Sequence, residues 1–160
     1  MTEVAARLRD QSKGSGPTCR RILGAWFGIA SSVEAYVAVA DQTPTIVASL
    51  EDEDVGLLTL LRHTPYSAEI YVMGVLPEHH RHGIGRRMIE HAEHSLAGDG
   101  VQFLQLKTLS ALHPDAGYHK TRAFYIACGF RPLQEFPELW GPGQPALQMV
   151  KGVAALDSHS

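Results

Sequence analysis

Residues 70–96, IYVMGVLPEHHRHGIGRRMIEHAEHSL, constrain this chain more than any other stretch. The apolar, β-branched run 70–76 reads as a strand that stops at Pro77. A His-rich turn follows, and a helical period begins at Gly83-Ile84-Gly85. Beyond the glycines, Ile84, Met88, Ile89, Ala92 and Leu96 recur on one face, and Arg86, Arg87, Glu90, His91, Glu93 and His94 fill the other. The helix start is costly for stability alone. Glycine costs about 1 kcal/mol relative to alanine inside a helix, and Arg86 and Arg87 place cations where the helix dipole favours anions. A bound anion would resolve both anomalies, because glycines admit backbone N–H groups to it and the helix N-terminus attracts it. A tight turn between strand and helix explains a lone GxG equally well, so the decision lies elsewhere in the chain.

The chain has 160 residues with 44% hydrophobic content, which predicts one globular domain with a proper core. A net charge of −3 gives no general pull toward nucleic acid or an anionic membrane. Cys19 and Cys128 form no disulfide framework and no zinc spacing, and reduced thiols in the cytoplasm are the economical reading. The first residues lack the apolar core of a signal peptide. Residues 22–40 are apolar enough to test for membrane insertion, but Glu34 and the Ser31-Ser32 pair interrupt them. Two short amphipathic helices fit better.

In order, we expect a strand over 4–9, a helix from Pro17-Thr18 closed by Gly28, and a second helix capped by Ser31 or Ser32 and running to about Asp41. Strands over 45–50 and 55–61 flank the acidic run Glu51-Asp52-Glu53-Asp54, read as a solvated hairpin turn. Gly98-Asp99-Gly100 ends the central helix, and residues 101–106 form a buried strand. The strand-helix-strand unit over 69–107 implies a parallel pair. Residues 118–128 are helical and stopped by Gly129, with Ala123, Phe124, Ala127 and Cys128 toward the core and Tyr118, Arg122 and Tyr125 on another face. Strands over 131–136 and 146–151 close the chain around Gly141-Pro142-Gly143, and the end is frayed. The expected fold is α/β, with one domain over 1–152, a flexible tail over 153–160, and a mixed, mostly antiparallel sheet of about seven strands flanked by about four helices.

Strand, PEHHRHGIG turn, long helix, buried strand and a helix carrying AFYIACGF together resemble the GCN5-related N-acetyltransferase (GNAT) superfamily over nearly the whole chain. The signature turn of that family is Arg or Gln, two variable residues, Gly, one residue, then Gly or Ala. Gly83 and Gly85 match it, while His80 stands at the Arg/Gln position with Arg81 beside it. The second motif is an aromatic helix ending in Phe-Tyr-x-x-x-Gly-Phe at the family's usual distance downstream. The resemblance implies acetyl-CoA as acyl donor. Its pantetheine arm would lie along Met73, Gly74 and Val75, and its pyrophosphate among His80, Arg81, His82, Gly83, Ile84, Gly85 and Arg86. Where the family commonly carries an Asn before the helix tyrosine, this chain has Tyr118.

Acetyl transfer to an amine needs a base, because an alkylamine is mostly protonated near neutral pH, and the departing thiolate benefits from an acid. The resemblance makes Tyr125 the acid; packing with a hydrogen-bonded hydroxyl is the bland alternative. Glu69 resembles the general-base glutamate of superfamily histone acetyltransferases, and partial burial would raise its pKa; it is equally readable as a satisfied charge at a strand end. An ordered water is the other candidate base. Trp26, Phe27, His113 and Tyr118 are candidate acceptor contacts, against core packing and loop surface. His79, His80, His82, His91 and His94 lack helical i, i+4 pairing or an acid partner, so no metal is expected. Cys128 reads as core.

The sequence thus points to an acetyl-CoA-dependent N-acetyltransferase working by direct attack in a ternary complex on a small-molecule amine. No nucleic acid or membrane partner is expected, and a homodimer is left open. A protein N-terminus or lysine as acceptor, a non-catalytic acyl-CoA sensor or interaction module, and a nucleotide-binding α/β domain are the competing readings. The hairpin-rich first half argues against the last.

Overall fold

The computed structural model describes residues 5–24, 30–80, 82–111 and 117–154, with the side chains of 30–32 and 117–118 excepted. The element order is β1 (Arg7–Gln11), α1 (Gly16–Gly24), α2 (Ala30–Gln42), β2 (Thr45–Leu50), β3 (Glu53–Thr64), β4 (Ser67–Val75), a 3₁₀ turn (Pro77–His79), α3 (Ile84–Gly98), β5 (Phe103–Leu109), α4 (Gly117–Ala127), β6 (Arg131–Phe136) and β7 (Ala146–Gly152). The strands form one seven-stranded sheet in the order β1-β2-β3-β4-β5-β7-β6. β4 and β5 are neighbours in that order, with α3 between them along the chain. Two compact units are distinguished, Met1–Leu61 with Ile70–Ala92 and Arg62–Glu69 with Glu93–Ser160.

In the first unit β1 pairs antiparallel with β2, Arg7 opposite Ser49 and Gln11 opposite Thr45. The first strand therefore lies later than residues 4–9. Register against β2 sets it, and as an edge strand it needs no apolar alternation. β2 and β3 form a hairpin whose turn residues Glu51 and Asp52 have φ of 50° and 67°. A two-residue turn of that kind requires positive φ at both positions, so Glu53 and Asp54 become strand residues. Asp54 is no solvated turn residue: it takes hydrogen bonds from Arg9 at 2.9 and 3.0 Å, Ser49 at 2.8 Å and Thr18 at 3.0 Å. These bonds, Arg9's first, hold its carboxyl down at about 2. Asp41 caps the start of α1 through Gly16 N–H at 3.1 Å.

On α3, Ile84, Met88, Ile89, Ala92 and Leu96 are all buried, as their period requires. Gly56 of β3 makes room for that face, since a Cβ there would lie 3.2 Å from Met88 Cε and 3.3 Å from the Gly74 carbonyl. α3 ends in a Schellman motif: Gly100 has φ of +83°, Val101 N–H bonds the Leu96 carbonyl at 3.0 Å, and Gly100 N–H bonds Ala97 at 3.1 Å. Val101 therefore belongs to the cap, which delays β5 to Phe103.

In the second unit β7 pairs antiparallel with β5 and β6, and the β6 register shifts between Pro132 and Gln134. The sequence places Ala123 and Ala127 toward the core on α4, but both are exposed; Thr121, Phe124 and Tyr125 are half-buried and Cys128 is buried. Bulk decides which stripe packs, because small side chains offer little area to bury. Val153 is buried and its N–H bonds the Gln102 carbonyl at 2.8 Å.

Candidate active site

The turn after β4 is closed by backbone bonds, one to β3 and two of its own. Leu76 N–H bonds Val55 at 2.8 Å, His79 N–H bonds Leu76 at 2.9 Å and His80 N–H bonds Pro77 at 3.2 Å. The His80 ring donates Nε2–H to the Val75 carbonyl at 2.8 Å, since a carbonyl only accepts. His80 thus ties the end of β4 to the turn, a role its sequence position alone did not reveal.

Gly83 follows with φ of +75°, a conformation that disfavours L side chains. A Cβ there would meet nothing within 4 Å, so backbone conformation requires glycine and the space above it is open. The first α3 bond runs from Arg87 N–H to the Gly83 carbonyl at 3.0 Å, which leaves the Ile84 and Gly85 amides at the head of the helix. These features fit an anionic phosphate group: an open glycine corner and helix-end N–H groups. Both arginines are exposed, and Arg87 donates to the Ala6 carbonyl at 2.7 Å. Met73 and Gly74 are half-buried and Val75 is buried at the end of β4. Arg81, Trp26, Phe27 and His113 lie outside the described residues, as does the side chain of Tyr118.

In the other unit, the cap of α4 positions Tyr125. Gly129 has φ of +101°, Phe130 N–H bonds the Tyr125 carbonyl at 3.0 Å, and Gly129 N–H bonds Ile126 at 3.0 Å. In this second Schellman motif the residue after the glycine packs on the one five positions earlier. Phe130 is fully buried and meets the Tyr125 ring edge-on at 6.0 Å between centroids; Phe124 flanks it at 5.5 Å. The Phe-Tyr-x-x-x-Gly-Phe spacing is therefore the spacing of a helix cap. Lys151 secures it, donating to the Cys128 carbonyl at 2.6 Å and pairing with Glu93 at 2.7 Å.

Glu69 is 8% exposed on β4. Its Oε1 meets His63 Nε2 at 2.6 Å, and its Oε2 takes a hydrogen bond from Lys107 Nζ at 3.2 Å. The structure thus adds His63 on β3 and Lys107 on β5, which no spacing in the sequence singles out. Among the described residues no three His, Cys, Asp or Glu side chains converge as metal ligands would, and no helix is long and apolar enough to cross a membrane. The Cys19 thiol is pushed up to about 11 by burial, which makes it a poor nucleophile.

Residues 36–132 match the sequence profile of the acetyltransferase (GNAT) domain. The chain belongs to the GNAT acetyltransferase family. Solved GNAT structures share its fold. A GNAT-family protein from Desulfovibrio desulfuricans superposes with a TM-score of 0.82 at 19% identity, over 94% of this chain and all (100%) of that one. The ribosomal-protein-S18-alanine N-acetyltransferase of Escherichia coli gives 0.76 at 16%, over 97% and 98%. An aminoglycoside 6'-N-acetyltransferase complexed with coenzyme A gives 0.73 at 18%, over 95% and 99%. Among proteins of curated function, none matches the sequence significantly.

Proposed function

We propose that this GNAT chain transfers an acetyl group from acetyl-CoA to a primary amine of a small molecule, by direct attack in a ternary complex. The observation that carries the reading is the start of α3, where Gly83 at φ +75° borders open space at the head of the helix. That corner would take the pyrophosphate on the amides of residues 81–86, with His80 holding the turn and Met73, Gly74 and Val75 lining the pantetheine arm. The aminoglycoside enzyme of the same fold was solved with coenzyme A, which supports the donor.

Tyr125 would protonate the departing thiolate, and Glu69 or an ordered water is the candidate base. No metal enters this scheme. Trp26, Phe27, His113 and Tyr118 remain candidate acceptor contacts. Both cysteines are free, in keeping with work in the reducing cytoplasm. The alanine acetyltransferase among the fold relatives favours a protein N-terminus as the second reading.

The test is thiol release from acetyl-CoA across a panel of polyamines, aminoglycosides, and peptides with a free N-terminus or lysine. Turnover with a small amine above that with any peptide is expected. Faster turnover with a peptide moves the acceptor to protein. Tight acetyl-CoA binding without turnover on any amine makes the chain a sensor instead.

A further inference from the structure

A carboxylate acting alone as base must be reachable by the proton it takes. Glu69 is buried, and each of its oxygens is already engaged, Oε1 with His63 and Oε2 with Lys107. A charged lysine has no lone pair and accepts no proton. The His63 side chain, by contrast, is 42% exposed. An ionised carboxylate only accepts, so in the neutral ring Nε2 carries the hydrogen toward Glu69 and Nδ1 holds the lone pair. This is how a carboxylate orients a catalytic imidazole and stabilises its cation without itself being protonated.

The geometry points to His63 as the group that receives the acceptor's proton, with Glu69 as its positioning residue and Lys107 anchoring Glu69. This rests on the acetyltransferase reading above and deepens it. An N–H bond of the acceptor ammonium breaks and an Nδ1–H bond forms, directly or across one water. The freed nitrogen lone pair attacks the thioester carbonyl carbon. As the adduct collapses the C–S bond breaks and the sulfur takes the proton of Tyr125. A second proton leaves the nitrogen and restores Tyr125, while the imidazolium, held against Glu69, returns the first to solvent. Among the described residues, His63 is bonded to Glu69 on β4 and, through it, to Lys107 on β5. Its neighbour Arg62 is turned to Asp99 at 2.9 Å.

The experiment is a pH profile of kcat with the best amine from the panel, on the full chain. Wild type should show an acid limb in that profile, where the proton-accepting group is lost to protonation. His63→Gln should lower kcat by roughly 10- to 100-fold, keep the KM for acetyl-CoA and lose that limb. His63→Ala should regain activity when free imidazole is added, a recovery open only to folded protein. A limb retained in His63→Gln, or a folded His63→Ala that imidazole does not rescue, overturns the dyad. Wild type that turns over no amine removes the acetyltransferase reading and the dyad with it.

Discussion

Tyr125 shows how much a single residue owes to its local frame. Its ring is held edge-on by Phe130, and its carbonyl takes the terminal bond of α4 from Phe130 N–H. Tyr125→Phe keeps ring and cap and removes only the hydroxyl. It should lower kcat by about 10²-fold if that proton goes to the thiolate. Acetyl-CoA affinity, read by calorimetry, should stay unchanged, and unchanged turnover would return Tyr125 to a packing role. The sequence singled out Tyr125 and Glu69 as candidates through motif spacing. It left His63 and Lys107 hidden, because their meeting at Glu69 depends on which strands are neighbours, and neither residue stands in a local pattern. Residue type alone also misplaced Ala123 and Ala127, since an amphipathic pattern with small members leaves two faces nearly equivalent.

At the scale of elements, the legible parts were those with strong periodicity or a decisive turn residue. The buried stripe of α3 was readable throughout, and Gly100 and Gly129 marked both Schellman caps. Strand limits were less readable, because pairing sets them: β1 follows the register of β2, and β5 waits for the cap of α3. The turn before α3 allows its fold and its proposed ligand to be separated. Gly83→Ala places a side chain in positive φ without a clash, so it should destabilise by about 1–2 kcal/mol, seen as a Tm lower by roughly 2–8 °C. Gly83→Asn should lose less, because asparagine tolerates that conformation. If the open corner takes the pyrophosphate, both variants should bind acetyl-CoA more weakly than wild type. Unchanged affinity in the stable Asn variant would place the phosphates elsewhere.

For the whole molecule, one acid-sensitive knot joins three elements: Asp54 of β3 holds Arg9 of β1 and Thr18 of α1. Its folded pKa of about 2 lies below the ordinary 3.8, so its contribution is fully present above pH 4 and is lost as pH falls through 2. With a quarter of the Asp54 side chain exposed, water screening reduces that contribution to about 1 kcal/mol. Urea unfolding at pH 5 and pH 2 should show wild type losing about this much more than Asp54→Asn; parallel losses would dissolve the knot. The margins of the sheet carry a different consequence. β1 presents Arg7, Arg9 and Asp10, while β6 carries Pro132, which has no N–H to offer, at a break in its pairing register. Leu133, Leu139 and Trp140 are exposed on and after β6, a ribbon that would otherwise invite a stranger's strand. With the proline and the charges in place, neither margin is a good template for stacking copies into a fibril, and the chain can keep those apolar side chains in water.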